Sequence, residues 1–142
     1  MLKSIDPALT ADLLWALAAM GHGDTLAVVD ANYPAHALHS RVITLAGVDM
    51  ARAISAIGSL LPVDAFVTPA VFGMVPDAEP TRSIDSHASV ARILTAAEER
   101  PIEVAPLERT EFYAQAKKAF AVVLTGELSS YACFLVTKGV VV

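Results

Sequence analysis

Short apolar runs alternate with segments of helical periodicity along almost the whole chain, and this alternation constrains the fold more than any other feature. Apolar residues at three- and four-residue steps indicate amphipathic helices, whereas short apolar runs indicate buried strands. Alternating strands and helices predict an α/β layered domain with a mostly parallel sheet. The predicted strands cover residues 25–31, 41–47, 65–75, 102–107, 121–126 and 132–142, and the predicted helices cover residues 9–21, 49–61, 83–100 and 110–120.

Several element boundaries carry recognisable signals. Thr10 is a candidate N-cap of the first helix and Gly21 its stop. Pro69 would interrupt a central ladder, which indicates an edge position or a bulge in the strand at 65–75. Residues 76–81 are predicted to form a loop, and Pro101 closes the helix at 83–100.

The composition predicts extensive burial against other copies of the chain. The 142 residues are most typical of one domain, yet 55% are hydrophobic, 18% are charged and the mean hydropathy is +0.55. No apolar stretch approaches the ~20 residues that span a bilayer, and "MLKSIDPALT" lacks the pattern of a signal peptide. The sequence therefore predicts a homo-oligomer that does not engage a membrane.

Charge and cysteine content narrow the classes of function. The net charge is −5 and the main basic cluster is the pair Lys117 and Lys118, which argues against a nucleic-acid partner. The lone Cys133 excludes an internal disulfide and a Cys-rich zinc site, and favours a reducing cytoplasm. Neither a glycine-rich phosphate loop nor a Gly-x-Ser-x-Gly elbow is present.

Proton-carrying side chains cluster around the first predicted strand, in "MGHGDTLAVVDANYPAH". Asp30 ends the strand, where open α/β sheets bind ligands, and a carboxylate there must be exposed or paired. His22 precedes the same strand, so about six residues at ~3.3 Å each separate the two side chains. Direct contact would require His22 to fold back, or a second chain to contribute.

Simpler interpretations stand beside these. Asp24 could cap a turn after Gly23, and His36 and His39 could be solvated residues of a loop. A metal site formed by His22, Asp30 and His36 is a further alternative, although the spacing matches no compact metal motif.

Both ends of the chain carry specific motifs. These are Gly-His-Gly-Asp and Asp-Ala-Asn-Tyr-Pro-Ala-His near the start, and Thr-Gly-Glu, a later tyrosine and Lys-Gly-Val near the end. With them, residues 1–140 resemble the D-ribose pyranase and L-fucose mutarotase family. The resemblance implies a three-layer α/β domain over residues 1–142, assembled into a decameric ring with the sugar site near subunit boundaries.

The resemblance also implies cofactor-independent and metal-independent exchange of sugar anomers. It assigns catalytic roles to His22, Asp30 and Tyr131 and substrate-binding roles to Arg109, His36 and Cys133. A histidine of ordinary pKa near 6.5 can give or take a proton near neutrality, as ring opening and closure require. Without the resemblance, Tyr131 is a packing residue and Arg109 an ion-pair partner of Glu108 or Glu111.

Two features favour the fucose branch of the family. Arg109 stands where the pyranases usually have histidine, and the pyranases tend to lack a histidine at the position of His36. One feature departs from both branches, because Cys133 occupies the place of a common asparagine. The predicted function is an L-fucose mutarotase-like isomerase, with a D-ribose pyranase and a non-enzymatic monosaccharide-binding protein as alternatives.

Overall fold

The computed structural model describes residues 1–79 and 84–142. Two sequence predictions reach outside these ranges. They are the end of the predicted loop at 76–81, and Ser83, the predicted first residue of a helix. In chain order the elements are α1 (Ala11–Ala19), β1 (Thr25–Val29), α2 (Ala35–Leu38), β2 (Val42–Leu45), α3 (Met50–Gly58), β3 (Val71–Val75), α4 (Asp85–Glu98), β4 (Val104–Glu108), α5 (Arg109–Ala116), β5 (Ala121–Thr125) and β6 (Phe134–Thr137).

The strands form a six-stranded sheet in the order β2-β5-β1-β6-β3-β4. The pairs β1–β5, β2–β5 and β3–β4 are parallel, whereas β6 is antiparallel to both β1 and β3. Five strands therefore run in one direction and β6 runs against them, which confirms the predicted mostly parallel sheet.

Helices cover both faces of the sheet. Along β1, Leu26 and Val28 face a core that includes residues of α1, α3 and α4. Ala27 and Val29 face a second core that includes residues of α2 and α5. Because successive side chains of a strand point to opposite faces, a strand buried on both sides must be apolar throughout. The three-layer α/β fold is thus confirmed.

The N-cap of α1 follows its predicted chemistry, since Thr10 Oγ1 accepts a hydrogen bond from the Leu13 N–H at 3.3 Å. The helix ends at Ala19, two residues before Gly21. The C-terminal end is held by Lys138, whose Nζ donates to the carbonyl oxygens of Leu17 and Met20 at 2.7 and 2.6 Å. A cation at this position also complements the helix dipole.

The predicted strand at 65–75 is too long, because β3 begins only at Val71. Pro69 lies before it, after a cis peptide bond, and β3 pairs with strands on both sides. The prediction that Pro69 marks an edge strand or a bulge is therefore wrong. The predicted loop around His36 instead contains α2, which is too short for helical periodicity to reveal it. No helix in the described ranges is both long and apolar enough to cross a bilayer.

Candidate active site

The carboxyl edge of the sheet collects segments that are distant in sequence. Asp30 directly follows β1, and Arg109 directly follows β4. Because β6 runs in the opposite direction, its start lies at the same edge, and Phe134 pairs with Val28. The residues that precede β6 are therefore brought beside Asp30.

A cavity of about 200 Å³ lies at this edge. It contains four of the six predicted site residues, namely Asp30, Arg109, Tyr131 and Cys133. Its remaining lining residues are Asn32, Tyr33, Met74, Tyr113 and Ser130. A cavity with a carboxyl group, a guanidinium group and several hydroxyl groups suits a small polyhydroxylated ligand.

Asp30 is buried, and its carboxylate is held from two sides. Oδ1 accepts from the backbone N–H of Asn32 at 2.9 Å, and Oδ2 accepts from the thiol of Cys133 at 3.4 Å. Burial raises the pKa of Asp30 above its ordinary value, and these hydrogen bonds oppose the shift without cancelling it. A carboxyl group with a raised pKa is better suited to take and return protons near neutrality.

Cys133 is buried and its thiol stays protonated, because burial and the neighbouring Asp30 carboxylate raise its pKa. Tyr131 has a left-handed backbone with φ of 61°. The predicted strand at 132–142 is too long, because β6 covers only Phe134–Thr137, so that Tyr131 and Cys133 both precede the strand. Both residues line the cavity through a turn rather than through strand alternation.

Arg109 is the first residue of α5 and is partly exposed. Its Nη2 donates to Asp77 Oδ2 at 2.9 Å, and its guanidinium lies 5.5 Å from the ring centre of Tyr113. Its ion-pair partner is therefore Asp77 and not Glu108 or Glu111, the partners that the sequence had suggested. Tyr113 and Asp77 hold the guanidinium at the wall of the cavity.

His22 lies at the opposite edge of the sheet from Asp30, since it precedes β1 and Asp30 follows it. Its Nε2 lies 3.1 Å from Asp64 Oδ1, and its ring centre lies 5.3 Å from that of Phe66. Asp24 accepts from the Gly21 N–H at 2.8 Å, which confirms a turn-capping role. One chain thus presents its predicted catalytic histidine and aspartate in two separate places.

His36 is exposed on α2 and does not line the cavity. Within one chain the structure does not join His36 to His22 and Asp30. Residues 1–79 and 84–142 contain no cluster of three or more His, Cys, Asp or Glu side chains arranged to hold a metal ion.

Three residues were not predicted from the sequence, namely Asp64, which contacts His22, and Asn32 and Tyr113, which line the cavity. A signal for Asp64 was present, because it follows the apolar run Leu60-Leu61-Pro62-Val63 as Asp30 follows its own run. The pattern that singled out Asp30 applies equally to Asp64.

Comparisons with known proteins identify the family of the chain. Residues 3–141 match the model of the RbsD / FucU transport protein family. The L-fucose mutarotase of Actinobacillus pleuropneumoniae serotype 5b is 40% identical over 142 residues, which cover 99% of this chain and 97% of that protein.

Solved structures show the same relationship. The fucose mutarotase from Streptococcus pneumoniae in complex with L-fucose superposes with a TM-score of 0.88 at 34% identity, covering 99% of this chain and 100% of the other. Bacillus subtilis RbsD complexed with D-ribose gives 0.72 at 25% identity, covering 100% of both chains. The chain therefore belongs to the RbsD / FucU family.

Proposed function

We propose that this protein is a mutarotase that interconverts the anomers of L-fucose or a closely related monosaccharide. The observation that carries the proposal is the cavity that joins Asp30, Arg109, Tyr131 and Cys133 at the carboxyl edge of the sheet. The relatives named L-fucose mutarotase support it, and the fucose mutarotase structure superposes better than the RbsD structure.

The side chains match the steps of anomer exchange. One group takes the proton of the anomeric hydroxyl while another protonates the ring oxygen, which opens the ring. The aldehyde then rotates, and closure on its other face reverses both transfers. Asp30 and His22 serve as the proton-transfer groups, Tyr131 relays a proton, and Arg109 stabilises the developing negative charge on oxygen. The bond between the anomeric carbon and the ring oxygen breaks and re-forms with these proton transfers, and nothing is oxidised or reduced, so the proposed reaction uses no cofactor.

In this proposal the site is completed by a neighbouring copy of the chain in a decameric ring. His22 and the cavity lie at opposite ends of β1, so one copy cannot join them. Each half of the site also has a large exposed hydrophobic residue in its neighbourhood. Phe66 stands beside His22 and is 73% exposed, and Leu128, two residues before the cavity residue Ser130, is 80% exposed. In the proposed ring these two exposed side chains would be covered by the neighbouring copies of the chain.

The same proposal places the protein in the cytoplasm, with a free sugar as its partner. The single buried Cys133 thiol suits a reducing compartment. The acidic net charge of −5 does not suit a nucleic-acid partner.

Saturation-transfer NMR tests the function directly. Catalytic amounts of protein are added to L-fucose, and magnetisation transfer between the α and β anomers is measured against a protein-free control and against D-ribose. Exchange that is faster with L-fucose is the expected result. Faster exchange with D-ribose would favour the pyranase alternative, and binding without exchange would favour a sugar-binding protein.

The variant Cys133→Asn tests whether the side chain at position 133, where the sequence departs from the family pattern, faces the sugar. The amide offers a hydrogen-bonding group to the cavity, and we expect tighter sugar binding by about 0.5–1.5 kcal/mol. Sugar affinity and melting temperature are measured together, with Cys133→Ala as the matched control that removes the thiol and adds no amide. A loss of stability of about 1–3 kcal/mol with unchanged affinity would show that position 133 serves the core instead.

A further inference from the structure

The imidazole of His22 has one hydrogen-bond partner among the described residues, the carboxylate of Asp64. The distance from Nε2 to Oδ1 is 3.1 Å, and the two side chains differ sharply in exposure. The His22 side chain is 46% exposed, whereas that of Asp64 is 2% exposed. One edge of the ring therefore meets a buried carboxylate, and the ring remains accessible from outside.

Asp64 is fixed in place by its surroundings. Its Oδ1 also accepts from the backbone N–H of Phe66 at 3.1 Å, and its carbonyl oxygen accepts from Arg100 Nη2 at 3.2 Å. Burial opposes ionisation of Asp64, but the hydrogen bonds from Phe66 and His22 outweigh it and lower the pKa of Asp64. The carboxylate is consequently charged at neutral pH.

The backbone of the chain end brings Asp64 and His22 together. The Asp64 N–H donates to the Thr137 carbonyl at 3.0 Å, and the Gly23 N–H donates to the Lys138 carbonyl at 2.9 Å. Gly139 leaves room for this approach, because a Cβ there would lie 2.8 Å from Asp64 Cα. Gly23, which follows His22, has φ of 88° and turns the chain toward the same segment.

We propose that Asp64 is the positioning residue for His22, holding its neutral ring as the Nε2–H tautomer so that Nδ1 is the atom that exchanges protons with the sugar. A carboxylate only accepts hydrogen bonds, so the ring nitrogen facing it must carry the hydrogen. The lone pair of the neutral ring then lies on Nδ1. This inference rests on the proposed function, in which His22 transfers protons.

The same arrangement supports the charged state of the ring. When Nδ1 takes a proton, the imidazolium that forms stands 3.1 Å from the Asp64 carboxylate. An aspartate at this position orients the histidine and stabilises its positive charge without itself becoming protonated. Asp30 lies at the other end of β1 and is left to act on the sugar.

The first test is spectroscopic. In protein labelled with ¹⁵N-histidine, a ring N–H that is bonded to a buried carboxylate exchanges slowly enough with water to give a one-bond ¹H–¹⁵N signal. We expect this signal from Nε2 of His22, assigned by its loss in His22→Gln, and we expect Asp64→Ala, which removes the acceptor oxygen, to abolish it. Protonation of Nδ1 in the neutral wild-type ring would overturn the proposal, and this measurement needs no variant of Asp64.

The second test is kinetic. Asp64→Asn keeps the Oδ1 acceptor for Phe66 and removes the charge, so we expect kcat for anomer exchange to fall about 10–100-fold while KM changes little. Asp12→Asn, an equal change in charge at an exposed position of α1, is the control. Unchanged kcat in an assembled Asp64→Asn protein would overturn the proposal. If the wild type exchanges no sugar anomers, the proposed function fails, and the spectroscopic test still decides whether Asp64 fixes the tautomer.

Discussion

His22→Ala is expected to lower the rate of anomer exchange by roughly 10²-fold or more and to leave the assembly intact. The imidazole is the side chain best suited to transfer protons in both directions near neutrality. It is also 46% exposed within one chain, so its removal leaves no large cavity in the core. The exchange rate is measured by saturation transfer, and the assembly by size-exclusion chromatography with light scattering.

Asp12→Ala serves as the control for this variant, because it truncates an exposed side chain on the first helix. Native exchange by a correctly assembled His22→Ala protein would remove His22 from the mechanism. Loss of assembly together with activity would instead assign His22 to the subunit interface.

Asp30→Asn is expected to have opposite effects on catalysis and stability. The amide cannot take a proton, so anomer exchange should fall by roughly 10²-fold or more. Burial raises the pKa of Asp30, which means that the folded protein binds this proton more tightly than the unfolded chain does. The charged form therefore costs stability at neutral pH, and the wild type regains that stability as pH falls through the raised pKa.

Melting temperatures measured between about pH 4 and pH 8 check the second effect. The Asn variant should melt above the wild type near neutrality, and the difference should shrink toward acid pH. An Asn variant that melts lower at every pH would show that the Asp30 carboxylate stabilises the fold, contrary to the cost inferred from its burial.

Local sequence patterns predicted the layers of this fold well. The run Leu26-Ala-Val-Val is apolar at every position because β1 is buried on both faces, and the run alone reveals this. Local patterns could not predict that β6 lies between β1 and β3 or that it is antiparallel to them, since the partners and direction of a strand depend on residues far away in the chain. The positive φ of Tyr131 is equally hidden, because nothing in its neighbours requires a left-handed backbone.

The candidate site, too, could be predicted only in part from the sequence. Asp30 was found from its position after an apolar run, whereas Tyr131, Arg109 and Cys133 were found only through the family resemblance. Their meeting in one cavity depends on where three strands begin and end, which is a property of the sheet and not of any segment. The apolar run before Asp64 marks it as the run before Asp30 marks Asp30, but its contact with His22, across 42 residues of chain, exists only after folding.

The antiparallel strand β6 fixes the distance between the cavity and the turn that carries His22. At ~3.3 Å per residue, its four residues span about 13 Å. Its first residue follows the cavity segment, and its last is followed by Lys138, whose backbone bonds to Gly23 and Asp24 in the turn of His22. The strand therefore acts as a rigid spacer between the two half-sites that each subunit would offer to its neighbours. In a closed ring of identical subunits, the repeat distance of the ring and the alignment of the reacting groups would then be set by the same short piece of backbone.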